Sequence, residues 1–129
     1  MKLLIVGSRS IQDFDLSAYI SENTELIISG GAQGVDTLAE KYADENKLSK
    51  LILRPQYALY GKAAPIVRNQ KMVEIADAVL VVWDGKSRGT MSTIRYAEKM
   101  QKTLSPYFLQ FKSEFGNKEF SCLVTSNLS

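Results

Sequence analysis

The chain has 129 residues, 45% hydrophobic and 23% charged, the profile of one globular domain large enough for a core without disulfides or a structural metal. A net charge of +2 is too weak to argue for a nucleic-acid surface, and the absence of histidine removes the commonest general base and the commonest metal ligand. One cysteine, Cys122, allows no internal disulfide and fits a reducing compartment; the opening "MKLLIVGSRS" is too short to span a membrane and lacks a signal-peptide cleavage region, so a cytoplasmic protein is expected.

In chain order, "KLLIV" (2–6) is an apolar run stopped by Gly7, which suits a buried parallel strand. A helix is expected over about 16–22, after the acids of "DFD". "ELIIS" (25–29) is a second buried strand, cut by Gly30 and Gly31. "VDTLAEKYADENK" (35–47) puts Val35, Leu38, Ala39 and Tyr42 at helical spacing. "KLILR" (50–54) is a third strand, ended by Pro55, and "APIVRNQKMVEIAD" (64–77) a helix with Pro65 in its first turn. "AVLVVW" (78–83) is the fourth strand, "TMSTIRYAEKMQK" (90–102) a helix, and "LSPYFLQF" (104–111) a fifth strand. After Lys112, "FGNKEFSCLV" suggests a Gly-Asn turn and one more strand, antiparallel. The fold class is therefore α/β: a Rossmann-like, doubly wound, mostly parallel sheet of about five strands with helices on both faces, plus a C-terminal extra strand. Residues 1–111 are expected to form the nucleotide-binding domain. Residues 112–129 are expected to be an extension packed on it or on a partner subunit.

In such sheets ligands bind outside the carboxyl ends of the strands. The segments there are "GSRS", "SGGAQGVD", "RPQY" and "DGKSRGT". A single glycine-rich loop of this kind is an ordinary tight turn. Several at one sheet edge point to a phosphate-bearing ligand, because glycine lets a ligand approach the backbone and a helix N-terminus offers free N–H groups. The candidate ligand-binding residues are Gly7, Ser8 and Arg9 in the first loop and Gly30, Gly31, Ala32, Gly34 and Asp36 in the second. Asp84, Gly85, Ser87, Gly89 and Thr90 follow in the last, with Trp83 just before it. Lys62, Arg68 and Asn69 join them from the segment between. Asp36 reads equally as a partner of its helix dipole or of ribose hydroxyls. Tyr57, Tyr60 and Trp83 are candidates for stacking on a base, and Met72 and Met100 read as core. Neither a GxGxxG fingerprint nor a Walker loop is present, which disfavours standard NAD-dependent oxidoreductases and P-loop ATPases.

"GSRS", "ISGGAQGVDTLAEKYA", "GKAAPIVRNQKMVEIADAVLVVWDG" and "SRGTMSTIRYA", in this order, resemble the SLOG superfamily, named for the Smf/DprA proteins and the Lonely Guy enzymes. The nearest resemblance is to its small stand-alone YspA/YpsA-like branch, over about residues 1–109. It implies a Rossmann-like fold with a pocket for nucleotides or their derivatives. Members resembling Lonely Guy cut the bond between base and ribose 5'-phosphate, others bind NAD or cyclic ADP-ribose signals in defence systems, and DprA proteins bind single-stranded DNA. The resemblance matches Arg68 in "RNQKM" to the hydrolases' arginine, and Gly89 and Thr90 to their Gly-Thr pair. Thr93 stands where the hydrolases carry a catalytic glutamate, and Glu98 lies five residues further on.

The function expected from these residues is binding of a nucleotide-derived small molecule (ADP-ribose, cyclic ADP-ribose or NAD-like) as a sensor or sequestering protein, in defence or anti-defence. One alternative is a nucleotide N-glycoside hydrolase using Asp36 or Asp84, with Arg68, as catalytic groups. A second is single-stranded DNA binding. A homo-oligomer, dimeric or higher, is expected; no metal, cofactor or membrane is, and nucleic acid is not expected as a partner.

Overall fold

The structure, a computed structural model, describes residues 1–114 and 117–124, with side-chain surroundings for residues 1–102. The first strand, β1, spans Lys2–Gly7; β2 (Leu26–Ser29), β3 (Ser49–Ile52) and β4 (Ala78–Trp83) follow. They form a parallel sheet in the order β3-β2-β1-β4. These four are the strands whose side chains are described, against about five expected. In the backbone, β5 (Thr103–Glu114) pairs parallel with β4, and β6 (Asn117–Val124) pairs antiparallel with β5. The expected Gly-Asn turn begins at Gly116, outside the described residues.

Alternation along the strands sends side chains to two faces. Leu3, Ile5, Leu80 and Val82 join Val35, Ala39 and Ala43 of helix α1 (Val35–Glu45) on one face. Leu4, Val6, Val79 and Val81 meet Met72 and Val73 of α3 (Ala64–Ile75) and Ile94 and Ala97 of α4 (Arg88–Lys99) on the other. Both faces are thus covered, and this is why the strands read as continuous apolar runs. Gly7 makes the close packing possible. A Cβ there would lie 2.1 Å from the Val82 carbonyl oxygen and 2.5 Å from Val35 Cγ2, so no side chain fits between β4 and α1.

Two local expectations are corrected. The helix expected over 16–22 is a single 3-10 turn, Ser17–Tyr19. Asp15 Oδ1 accepts hydrogen bonds from both the Ser17 amide (3.0 Å) and the Ser17 hydroxyl (2.6 Å), a local turn that competes with helix propagation. The loop after β3 contains an unexpected helical turn, α2 (Tyr57–Tyr60), followed by a 3-10 turn at Gly61–Ala63 that leads into α3. Among the described residues no helix is long and apolar enough to cross a membrane.

The strand order reverses direction between β1 and β4. A doubly wound sheet opens a crevice at that point, at the carboxyl ends of the two strands. Gly7–Ser10 and Asp84–Thr90 leave the sheet there.

Candidate ligand cleft

A cleft of about 510 Å³ occupies the crevice. Its walls are the loop after β1, the start of α1, α3 from Pro65 to Met72, the loop after β4 and the N-terminus of α4. Of the candidates named from the sequence, Gly7, Arg9, Ala32, Asp36, Arg68, Asn69, Asp84, Ser87, Gly89 and Thr90 line it.

The remaining candidates are placed elsewhere. Ser8 is buried beneath the cleft floor: its hydroxyl accepts from the Asp84 amide (2.9 Å), and its carbonyl accepts from the Val35 amide (3.3 Å). One residue therefore ties the β1 loop to the β4 loop and to α1. Gly34, at φ +76, lies against the Ser8 and Arg9 backbone, where a Cβ would come within 2.4 Å of the Ser8 carbonyl oxygen. Gly30 and Gly31 shape the α1 side without lining the cleft, and Gly85, at φ +83, is an open turn residue. Lys62 is exposed on the 3-10 turn before α3, outside the lining. Trp83 packs on the α3–α4 side of the core and donates its indole N–H to the Ser87 carbonyl (3.0 Å), so it braces the loop from behind.

The two acids of the cleft are already engaged. Asp84 Oδ1 accepts from the amides of Lys86 (2.8 Å) and Ser87 (3.1 Å), and Oδ2 from the Ser10 hydroxyl (2.7 Å). Partial burial pushes its pKa up, but these hydrogen bonds prevail and hold it below the ordinary carboxylate value. Asp36 is buried; its Oδ2 accepts from the Ala32 amide (3.1 Å). Desolvation raises its pKa above the ordinary value, against the opposing pull of Ala32 and of the Arg68 guanidinium.

Arg68 is fixed by its own hydrogen bonds. Nη1 donates to the carbonyls of Gly30 (2.6 Å) and Leu53 (3.3 Å), and Nε to Asn69 Oδ1 (2.7 Å). Burial lowers its pKa, partly offset by Asp36, from a value so high that the guanidinium stays charged. A Cβ on Gly30 would meet Arg68 Nη1 at 2.8 Å and Asp36 Oδ2 at 2.9 Å, so the glycine lets both charged groups close over the same backbone.

Helix α4 presents its N-terminus to the cleft. Ser87, extended at φ −65 and ψ 120, caps it by accepting from the Thr90 amide (3.5 Å) and hydroxyl (3.1 Å). Arg88 and Gly89 are the first two residues of the helix, and their amides have no acceptor within the chain among the described residues. Thr93 lines the cleft with its hydroxyl donated to the Gly89 carbonyl (3.1 Å), while Glu98 is exposed and outside the lining.

Sequence reasoning did not single out five lining residues: Val6, Ser10, Pro65, Met72 and Lys86. Ser10 and Lys86 sit inside the loops it quoted. Met72, read as core, is buried and also reaches the cleft wall. A buried apolar side chain that doubles as a wall leaves no signal in periodicity.

No family model matches the chain. The Gene 61 protein of Mycobacterium phage D29 is 31% identical over 111 residues, which span 76% of this chain and 89% of the phage protein. The chain belongs to the family of that phage protein. Among solved structures, DNA processing protein A from Helicobacter pylori, described for its unique single-stranded DNA binding mode, matches with a TM-score of 0.63 at 22% identity. The match covers 92% of this chain and 68% of that one. The chain thus shares the α/β fold of that DNA processing protein A. One expectation is overturned here. A chain of this fold binds single-stranded DNA, so nucleic acid can no longer be left out as a partner on the ground of a weak net charge. Steering depends on where charges stand around a cleft more than on their total. Nothing in either comparison supports a small-molecule partner such as ADP-ribose, cyclic nucleotide signalling or a defence role.

Proposed function

We propose that the chain binds single-stranded DNA, seating a nucleotide unit of the strand in the switch-point cleft. The observation that carries this is the charge arrangement of the cleft. Arg9, Arg68 and Lys86 line it together with the open N-terminus of α4, while both of its carboxylates are committed to hydrogen bonds inside the protein. Phosphate contacts of this kind supply most of the affinity for a nucleic acid strand. The shared fold of a single-stranded DNA-binding protein supports the same reading. Within the SLOG superfamily we assign the chain to the stand-alone YspA/YpsA-like branch, acting in the cytoplasm, with residues 1–111 as the binding domain.

Binding without turnover is part of the proposal. Asp84 accepts three hydrogen bonds, Asp36 is buried, and Thr93 offers no charge at the α4 wall. The strand is expected to leave the protein intact.

The test is fluorescence anisotropy with a labelled single-stranded oligonucleotide across a salt series, with a duplex of the same sequence and a free mononucleotide as competitors. The expected result is tighter binding of the single strand than of the duplex. An Arg9→Ala/Lys86→Ala variant should weaken binding and flatten the salt dependence by about 0.7 in slope for each phosphate no longer neutralised. No binding of the single strand at low salt, or a mononucleotide that competes as well as the strand, overturns the proposal.

A further inference from the structure

A second hollow, of about 230 Å³, lies on the other side of Arg68. Arg68 lines both cavities, so the two meet at that residue. The floor is apolar, built from Ile52, Leu53, Ala64 and Val67. Three cations stand around it, Arg54, Arg68 and Lys71, and no carboxylate is among its lining residues. None of the three forms an ion pair among the described residues.

Their positions are set by the fold. Arg54 follows β3 and donates from Nη1 to the Gly31 carbonyl (3.2 Å). Lys71 lies one helical turn beyond Arg68 on α3, which brings both to one side of the helix. Its ammonium sits 5.1 Å from the Tyr60 ring centroid and 3.2 Å from the Tyr60 hydroxyl. Arg68 has Asp36 on its cleft side, whereas Arg54 and Lys71 stand at an apolar floor whose lining holds no carboxylate; this fits a ligand with an anionic edge and a flat apolar body. A nucleotide unit has both.

We propose that this hollow is a second nucleotide subsite for the same strand, with a phosphate held by Arg54 and Lys71 and the sugar or base resting on the Leu53–Val67 floor. The inference rests on the proposed function and extends it: the strand runs along the carboxyl edge of the sheet, from the β1–β4 crevice across Arg68 towards β3. Arg68 faces the strand between the two subsites, held by Gly30, Leu53 and Asn69.

The test uses oligothymidylates of increasing length against three proteins: the parent, Arg54→Gln/Lys71→Gln and the charge-retaining Arg54→Lys/Lys71→Arg. The parent's affinity should rise once the strand is long enough to cross Arg68. The Gln pair should bind the shortest strands like the parent, lose that rise, and show a salt slope lower by about 0.7 on longer strands, as one phosphate is no longer neutralised. The charge-retaining pair should restore the slope. Matching melting curves for all three proteins show that the variants fold. If the parent binds the strand and the Gln pair equals it at every length, the second subsite is overturned while the cleft reading stands. If the parent binds no strand, the reading beneath falls and this inference with it.

Discussion

Asp36 and Asp84 face one cleft, yet their surroundings move their acidities in opposite directions. Asp36 is desolvated and its folded pKa lies above the ordinary 3.8. The folded state then holds its proton more tightly than the unfolded one, so stability falls as pH rises from about 3.8 through the raised value. Asp84 is the reverse: its folded pKa lies below 3.8, so its contribution is present above that value and is lost as pH falls through the folded pKa. Denaturant titrations at a series of pH values should therefore separate the two. Asp36→Asn should flatten the curve on the alkaline side of 3.8, and Asp84→Asn should flatten it on the acid side. The Asp84 variant should also cost about 1–3 kcal/mol at neutral pH, because an amide cannot accept at both oxygens as the carboxylate does. A curve for either variant that superposes on the parent's contradicts the assignment. Both acids were visible in the sequence as candidates. Their engagement was not, because the groups that occupy them are backbone amides and a serine 74 residues away in the chain.

At the scale of elements, α4 owes its start to Ser87. Ser87→Ala removes the acceptor for the Thr90 amide and should cost about 1 kcal/mol, read from the midpoint of chemical denaturation. It should also loosen the N-terminal turn that lines the cleft and weaken strand binding in the anisotropy assay. The long elements were legible from the chain because their signals are strong and local. Strands β1 and β4 are apolar runs ended by turn residues, and α1 and α3 have their expected starts at Val35 and Ala64. The failures share another cause. The 16–22 segment carried helix-favouring acids, but Asp15 turns back on Ser17 and stops propagation after one turn. The α2 turn at Tyr57–Tyr60 has no buried residue and hence no periodic face to read. Gly30, Gly31 and Gly34 have a packing reason that periodicity does not reveal: the backbone and side chains of the protein itself fill the space that their missing Cβ atoms leave.

For the whole molecule, the lining of the cleft ends at Thr93 and that of the second hollow at Lys71. These bounds hold among the residues whose side-chain surroundings are described, 1–102. A chain ending at Phe111 should therefore bind the labelled strand with the affinity and salt slope of the full chain, provided that size-exclusion chromatography shows it monodisperse, since shortening β5 and removing β6 bares a sheet edge. A lower salt slope in a well-folded truncation would place part of the interface in the extension. The parallel sheet covered on both faces was implied by the alternation of strands and helices, whereas the order β3-β2-β1-β4 comes from the structure. The second hollow was not foreseeable, because Ile52, Ala64 and Lys71 converge through the packing of a strand end on two turns of helix.

Ser8 gives the site a kinetic character. Its hydroxyl and carbonyl tie the β1 loop to the β4 loop and to the start of α1 beneath the cleft, and Arg68 ties the α3 wall to Gly30 and Leu53. The walls therefore stand in place before a strand arrives, and little loop entropy remains to be lost on docking. If the proposed strand binds there, stopped-flow mixing should show association in a single phase whose rate rises as ionic strength falls, and a slow second phase would contradict the preformed walls.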